Sequence, residues 1–191
     1  MQTKRLFIAA EFPQDVIDTV YQIVKQQWPR DINGVKWVSH QQYHLTLKFL
    51  GDTSIDQIPA ITQICQQTTP VNLQIPLHIL GFGVFPNQQK PSVLWAGIIQ
   101  AQGLISLQKS LDKNLSRLNI PEERRAYTPH LTLARIKDYF PIRQLNSFLA
   151  PINTHEKLID INTRICAITL FESELSKQGP IYKKIWTLNI Q

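Results

Sequence analysis

The chain has 191 residues, a length that fits one domain or two small lobes. With 43% hydrophobic and 18% charged residues, it has the composition of a globular protein with a real core. The formal net charge of +6 suggests an anionic partner such as nucleic acid or phosphate, although a moderately basic soluble protein fits that charge equally well.

Two further features of the sequence bear on the cellular location of the protein. The two cysteines, Cys65 and Cys166, lie in no metal-binding or C-x-x-C spacing, so we expect free thiols in a reducing compartment. The apolar run Leu6–Ala10 is too short for a signal peptide or a membrane span. We therefore expect a cytoplasmic protein with no membrane contact.

The first half of the chain is predicted to alternate strands and helices. A short apolar strand over Arg5–Phe12 precedes a helix that begins near Pro13 and ends at Trp28, because apolar residues there recur at helical spacing. Val35–Ser39 and Tyr43–Gly51 are predicted to be paired strands around a polar turn. The elements that follow are a helix over Ile55–Gln67 and strands over Val71–Leu80 and Val93–Ile99, with a loop over Gly81–Pro91.

The second half repeats this order. Leucines from Leu104 to Leu118 mark an amphipathic helix. A strand over Tyr127–Ile136, a short helix over Pro141–Leu149, and strands over Arg164–Phe171 and Ile181–Ile190 follow. Because strand, helix, strand and helix occur twice in this order, we predict an α+β fold of two similar lobes related by an approximate two-fold axis.

The tetrapeptide His-Leu-Thr-Leu occurs twice, at His44–Leu47 and at His130–Leu133. Since the chain has only five histidines, a chance repeat is improbable. Side chains alternate across a strand, so in each copy the histidine and threonine share one face and the leucines share the other. The leucines can anchor both strands in a core, and the two lobes can bring both His–Thr pairs to one small volume.

Two opposed imidazoles suit displacement at phosphorus, where the nucleophile enters opposite the leaving group. One neutral histidine can accept a proton from the nucleophile while one protonated histidine donates to the leaving oxygen. The ordinary histidine pKa of about 6.5 lets both forms exist near neutrality. The hydroxyls of Thr46 and Thr132 can hold the phosphate oxygens, and the arrangement needs no metal or other cofactor.

Neighbouring side chains are further candidates, although each also fits a solvated surface or core position. Lys48 has the strand parity of the first His–Thr pair, whereas Arg135 faces away from the second pair on an uninterrupted strand. An aromatic ring near the motifs could stack on a base. The candidates for contacts to phosphate or base are Lys48, Arg124, Arg125, Tyr127 and Arg135.

The other three histidines, His40, His78 and His155, have no such context, and we interpret them as ordinary structural side chains. A zinc site at His44 and His130 is the weaker interpretation. Metal sites need further His, Cys or carboxylate ligands, and no helix carries an H-E-x-x-H motif.

Tyr43–Gly51 and Thr128–Arg135 resemble the two H-x-T-x motifs of the 2H phosphoesterase superfamily. Within it, the chain is similar to the RNA 2′,3′-cyclic phosphodiesterases, long called 2′-5′ RNA ligases. The resemblance extends over nearly the whole chain, through Arg5–Ala9, Val35–Val38, Gly81–Pro86, Ser173–Leu175 and Gly179–Tyr182.

This resemblance implies a single bilobal domain over residues 1–191, with two mostly antiparallel sheets, helices on their outer faces and a central groove. It implies metal-independent hydrolysis of RNA 2′,3′-cyclic phosphate ends, or of small cyclic nucleotides, to 2′-phosphomonoesters. His44 would be the proton donor to the leaving 3′-oxygen and His130 the base that activates water. Thr46, Thr132 and Arg135 would hold the phosphate.

Two alternatives stay open. One is 2′-5′ RNA ligation, the reverse reaction at the same site, which microscopic reversibility permits. The other is a non-catalytic module that binds RNA ends, which would have no need for a donor and acceptor pair. From the residues alone the two histidines are interchangeable, and nothing in the sequence demands a dimer, so we expect a monomer.

Overall fold

The computed structural model describes residues 2–28, 33–70, 72–149, 159–176 and 179–190, which form four α-helices and nine β-strands. In chain order these are β1 (Thr3–Glu11), α1 (Gln14–Gln27), β2 (Val35–Trp37), β3 (Leu45–Ser54), α2 (Ile58–Thr68), β4 (Pro76–Phe85), β5 (Val93–Ile99), α3 (Gln102–Leu115), β6 (His130–Ile136), α4 (Ile142–Leu149), β7 (Asp160–Arg164), β8 (Ala167–Ser176) and β9 (Gly179–Asn189).

The strands form two antiparallel sheets. Sheet A has the order β3-β1-β8-β9, and sheet B has the order β2-β6-β5-β4-β7. The first tetrapeptide therefore enters sheet A on β3, and the second enters sheet B on β6. This arrangement confirms the predicted α+β class and the placement of the two motifs in different lobes.

The approximate two-fold symmetry is visible in the connections. The units β1-α1-β3 and β5-α3-β6 each place two neighbouring strands around a helix. After β3 the chain crosses to sheet B, where β4 pairs with β5. After β6 it first adds β7 to sheet B and then crosses to sheet A, where β8 pairs with β1. Strands β3, β1, β8 and β9 of sheet A thus correspond to β6, β5, β4 and β7 of sheet B.

One hydrophobic core packs helices against both sheets. Helices α1 and α3 bury one apolar stripe each, as amphipathic helices do on a sheet. The leucines of both tetrapeptides are buried in this core, as predicted: Leu45, Leu47, Leu131 and Leu133. No helix in the described part of the chain is long and apolar enough to cross a membrane.

Three local predictions are wrong. Val35–Ser39 and Tyr43–Gly51 do not pair with each other, since β2 pairs with β6 and β3 with β1. The predicted loop Gly81–Pro91 begins later, because β4 continues to Phe85. Strand β7 is an additional element whose mostly polar sequence, Asp-Ile-Asn-Thr-Arg, carries little apolar signal.

Candidate functional site

The first motif ends in a β-bulge on β3. Ala9 of β1 pairs with Thr46, and the residue before Ala9 pairs with Lys48, so Leu47 is an extra residue in the ladder. The extra residue shifts the alternation by one position. Leu47 and Lys48 are consequently both buried, and Phe49 is exposed on the face that carries Thr46.

The second motif ends in an equivalent bulge on β6. Trp95 of β5 pairs with Thr132, and the residue before Trp95 pairs with Ala134, so Leu133 is the extra residue. Ala134 is therefore buried, while Arg135 is exposed on the face that carries Thr132. Simple alternation predicts the opposite face for Arg135, and the bulge is the reason that this expectation fails.

The bulge on β3 turns the Lys48 side chain away from the face that carries Thr46. Its Nζ lies 2.5 Å from Oδ1 of Asp112 on α3, and it donates a hydrogen bond to the carbonyl of Pro121. The side chain is 6% exposed. The prediction that Lys48 contacts substrate is therefore wrong, because the residue is a buried ionic link between β3 and α3.

The two histidines are oriented by equivalent hydrogen bonds. Nδ1 of His44 lies 2.7 Å from the carbonyl of Gln42, and Nδ1 of His130 lies 2.8 Å from the carbonyl of Thr128. Because a carbonyl oxygen only accepts, each Nδ1 carries the proton and each Nε2 is free to exchange one. Nε2 of His44 lies 3.1 Å from the Thr46 hydroxyl, so the imidazole and the hydroxyl of this motif are directed toward the same place.

An aromatic cluster encloses His44 on the face of sheet A away from the main core. The ring centroids of Phe7, Tyr182 and Phe171 lie 5.0, 5.3 and 5.9 Å from that of His44. Phe7 and Phe171 form a second buried cluster that is separate from the main core. Strand β1 is thus buried on both faces, with the main core behind it and the site in front.

The charges around His44 come from two other strands, β1 and β6. Burial lowers the pKa of His44, the carbonyl of Gln42 and the carboxylate of Glu11 raise it, and the positive charge of His130 lowers it. Strands β3 and β6 contact each other, so the two motifs lie close together although they belong to different sheets. The sequence analysis did not identify Glu11.

His130 has different neighbours. The ring of Phe85 lies edge-on at 4.9 Å and that of Trp95 at 6.4 Å between centroids. Burial lowers the pKa of His130, the carbonyl of Thr128 raises it, and the guanidinium of Arg135 lowers it. Arg135 therefore lies within electrostatic reach of His130, on the face shared with Thr132.

A pocket of about 300 Å³ adjoins His130. It is lined by residues of β4 and β5, including Trp95, and by Thr128 and Pro129, which directly precede His130. Its walls are mainly apolar side chains and glycine backbone, a lining suited to a flat, weakly polar group.

Two glycines allow the Trp95 ring and strands β4 and β5 to approach one another closely beside this pocket. A Cβ on Gly83 would lie 2.2 Å from ring carbons of Trp95, and a Cβ on Gly97 would lie 2.6 Å from the carbonyl oxygen of Leu80. A larger residue at Gly83 would displace the Trp95 ring, and one at Gly97 would push against the β4 backbone. Both glycines are therefore required by close approach.

Two further cations lie near the motifs. Burial raises the pKa of Tyr182, and the charges of Arg135 and Arg5 lower it. Lys36 pairs with Arg135 across β2 and β6, and its Nζ would lie 3.3 Å from a Cβ on Gly179 of sheet A. Arg5 and Lys36 were missed by sequence reasoning. Arg5 shares the strand parity of Phe7, a signal hidden because the residues after it are apolar on both faces.

The remaining predicted contacts lie elsewhere. Arg124 and Arg125 are exposed in the loop before β6, where the Arg125 backbone N–H donates to the Glu123 carboxylate at 3.1 Å. Tyr127 packs against the main core, and burial raises the pKa of its hydroxyl. The contacts of Arg124, Arg125 and Tyr127 with phosphate or base stay predictions.

The other histidines have local partners where the structure describes them. The ring of His40 stacks on Tyr21 at 4.6 Å, and Nε2 of His78 lies 2.6 Å from Oδ1 of Asp160. His155 lies outside the described residues. Across the described ranges, no three His, Cys, Asp or Glu side chains gather into a group that could hold a metal ion.

Comparison with known sequences gives one family. The profile described as the 2′-5′ RNA ligase superfamily matches residues 14–177. A protein of Aquifex aeolicus named RNA 2′,3′-cyclic phosphodiesterase is 33% identical over 187 residues, which are 95% of each chain. A protein of the same name from Methanocaldococcus jannaschii is 29% identical over 184 residues, covering 95% of this chain and 98% of the relative.

Solved structures with the same fold cover 97–100% of the chain. The crystal structure of the Thermus thermophilus protein TT0787 is 26% identical with a TM-score of 0.79 and covers 97% of each chain. The apo structure of E. coli LigT is 20% identical with a TM-score of 0.73, over 100% of this chain and 99% of LigT. At this identity LigT shows a shared fold.

Proposed function

The chain belongs to the 2′-5′ RNA ligase superfamily and is an enzyme of the RNA 2′,3′-cyclic phosphodiesterase family, and from this premise we propose that it hydrolyses RNA 2′,3′-cyclic phosphate ends to 2′-phosphomonoesters without a metal. One observation carries the proposal. Two His–Thr pairs, one from each sheet, belong to motif strands that contact each other, and each histidine has its Nδ1 held by a backbone carbonyl.

The reaction is an in-line displacement at phosphorus. Nε2 of His130, neutral at the start, takes a proton from water as the water oxygen forms a bond to phosphorus. The bond from phosphorus to the 3′-oxygen breaks, and Nε2 of His44, protonated at the start, donates its proton to that oxygen. The product has a 2′-phosphate and a free 3′-hydroxyl, and proton exchange with solvent restores both histidines.

The phosphate is held by hydroxyls and one cation. The hydroxyls of Thr46 and Thr132 donate hydrogen bonds to the non-bridging oxygens, and Arg135 adds a charge-assisted bond from the face that the bulge gives it. The apolar pocket beside His130 offers a surface for the nucleoside part of the substrate.

The direct test supplies purified protein with a short RNA that ends in a 2′,3′-cyclic phosphate. We expect a product with a 2′-phosphate, which survives treatment with an enzyme specific for 3′-phosphates, and an unchanged rate in EDTA. Formation of a 3′-phosphate, or loss of activity in EDTA, would contradict the proposed chemistry.

The alternatives have their own readouts. Ligation would join two RNA halves, one with a cyclic phosphate end and one with a 5′-hydroxyl, through a 2′-5′ linkage. A binding module would retain the cyclic phosphate RNA without turnover. The RNA partner, the monomeric state and the cytoplasmic location stay predictions.

A further inference from the structure

Glu11 places a carboxylate beside one motif histidine. Ala10 of β1 pairs with Leu45, the first residue of β3, so Glu11 and His44 are the next residues along the two neighbouring segments. At the corresponding place in sheet B, Gly97 pairs with His130. The position across from His44 therefore carries an acidic side chain, whereas the symmetry-related position across from His130 carries none.

The Glu11 carboxylate is fixed by contacts to two other strands. Its Oε2 lies 2.7 Å from Nζ of Lys184, and its Oε1 accepts a hydrogen bond from the hydroxyl of Thr169. Thr169 is fully buried and also lies 3.1 Å from the hydroxyl of Thr187. With both oxygens engaged and the side chain only 19% exposed, Glu11 cannot turn away from this face of the sheet.

The charged and titratable groups around His44 come from every strand that packs against it. Glu11 faces it from β1, Tyr182 from β9, and His130 from β6. Lys184 of β9 acts through its ion pair with Glu11, whereas Arg5 and Arg135 act on Tyr182. Glu11 is the negative charge in this set, since burial raises the pKa of Tyr182 and keeps the phenol neutral.

The nearest charged side chains of the two histidines differ in sign. The pKa of both histidines lies below its ordinary value, with burial as the largest cause. The carboxylate of Glu11 opposes that lowering at His44, where the charge of His130 adds to it, whereas the guanidinium of Arg135 adds to the lowering at His130. A negative neighbour favours the imidazolium form, and a positive neighbour favours the neutral imidazole.

We propose that Glu11 is a positioning residue that makes His44, rather than its symmetry partner His130, the proton donor of the reaction. This inference rests on the proposed function. It explains how two nearly identical motifs can hold different protonation states, one ready to donate and one ready to accept.

The test is the substitution Glu11→Gln, which keeps the shape, removes the charge and leaves one oxygen to accept a hydrogen bond. NMR titration of the histidine ring protons should show the pKa of His44 falling while that of His130 changes little. Because His44 must be protonated, the alkaline limb of the pH profile of kcat/KM should move to lower pH. We expect about a tenfold loss on that limb, less than the 10²–10⁴-fold worth of a whole proton-transfer group.

Three variants separate charge from structure. Glu172→Gln removes a carboxylate that pairs with Lys4 on the same sheet, and it should leave both titrations unchanged. Glu11→Asp should restore the position of the alkaline limb. Lys184→Gln leaves Glu11 without its countercharge, so the limb should move to higher pH.

An unchanged His44 titration in a folded Glu11→Gln protein would overturn the inference, as would an equal shift with Glu172→Gln. Failure of the proposed function looks different, because the wild-type protein itself would then not hydrolyse the cyclic phosphate. The NMR titration needs no turnover, so it tests Glu11 independently of activity.

Discussion

Strands β3 and β6 have nearly the same backbone and the same motif, yet they place different residues at equivalent positions. Both bulge at the last leucine of the tetrapeptide, and both orient the histidine through the carbonyl two residues earlier. After the bulge, β3 buries Lys48 where β6 buries Ala134. It also exposes Phe49, at 71%, where β6 exposes Arg135.

This comparison separates two tasks. The shared backbone places the two imidazoles on contacting strands, where the proposed reaction would have both act on one phosphorus atom. The differing side chains give the imidazoles different electrostatic surroundings, with Glu11 beside His44 and Arg135 beside His130. In-line displacement needs one acid and one base, so the second task requires that the symmetry be broken.

Removing each histidine in turn is the strongest test of whether the two motifs have different roles. His44→Ala and His130→Ala should each lower kcat/KM for a cyclic phosphate RNA by about 10²–10⁴-fold. On a nitrophenyl phosphodiester, whose leaving group departs without a proton, His44→Ala should lose far less than His130→Ala. Equal losses on both substrates would contradict the assignment of acid and base.

Removing the buried cation of β3 should have the largest effect on stability. Lys48→Met leaves Asp112 buried without its partner, and breaking such a pair destabilises by about 3–5 kcal/mol. Guanidinium unfolding measures the change. The matched control, Lys48→Met with Asp112→Leu, should recover most of it, apart from the hydrogen bond from the Glu123 backbone N–H to Asp112. A loss below about 1 kcal/mol in the single variant would contradict the buried-pair argument.

Replacing Arg135, the exposed cation of β6, tests the positive charge that distinguishes the surroundings of His130 from those of His44. Arg135→Gln removes a charge-assisted hydrogen bond to phosphate worth about 1.5–3 kcal/mol, or about 10- to 150-fold in kcat/KM. The pKa of His130 should rise without Arg135, and because His130 must be neutral, the acidic limb of the profile should move to higher pH. Arg125→Gln, in the loop before β6, is the control and should change neither quantity; an equal effect there would count against a specific role.

Much of this site could be predicted from the sequence, because strand alternation is a local property. The leucines of both tetrapeptides lie in the core and each motif enters its own sheet, as the repeated pattern predicts. The bulges could not be predicted, since an extra residue is defined only by the pairing with a neighbouring strand. For that reason Lys48 and Arg135 each lie on the face of their strand opposite to the one that simple alternation predicts.

The residues that reach the motifs from distant parts of the chain could not be predicted from the sequence either. Glu11, Arg5 and Lys36 reach the motifs from strands that are distant in the chain. In β1, apolar residues cover both faces, because one face meets the main core and the other meets the aromatic cluster. A continuous apolar run therefore gave no indication of which parity faces the site.

The smallest expected effect compares the two hydroxyls. Thr46→Val and Thr132→Val keep the side-chain volume and remove one hydrogen bond each, worth about 0.5–1.5 kcal/mol, or about 2- to 12-fold in kcat/KM. The hydroxyl of Thr46 also contacts Nε2 of His44 at 3.1 Å, so its loss should move the alkaline limb set by His44 and leave the acidic limb set by His130 in place. Steady-state kinetics across pH measures both effects. If Thr46→Val moved the acidic limb instead, His44 would be the base, and the roles of β3 and β6 would be the reverse of those proposed.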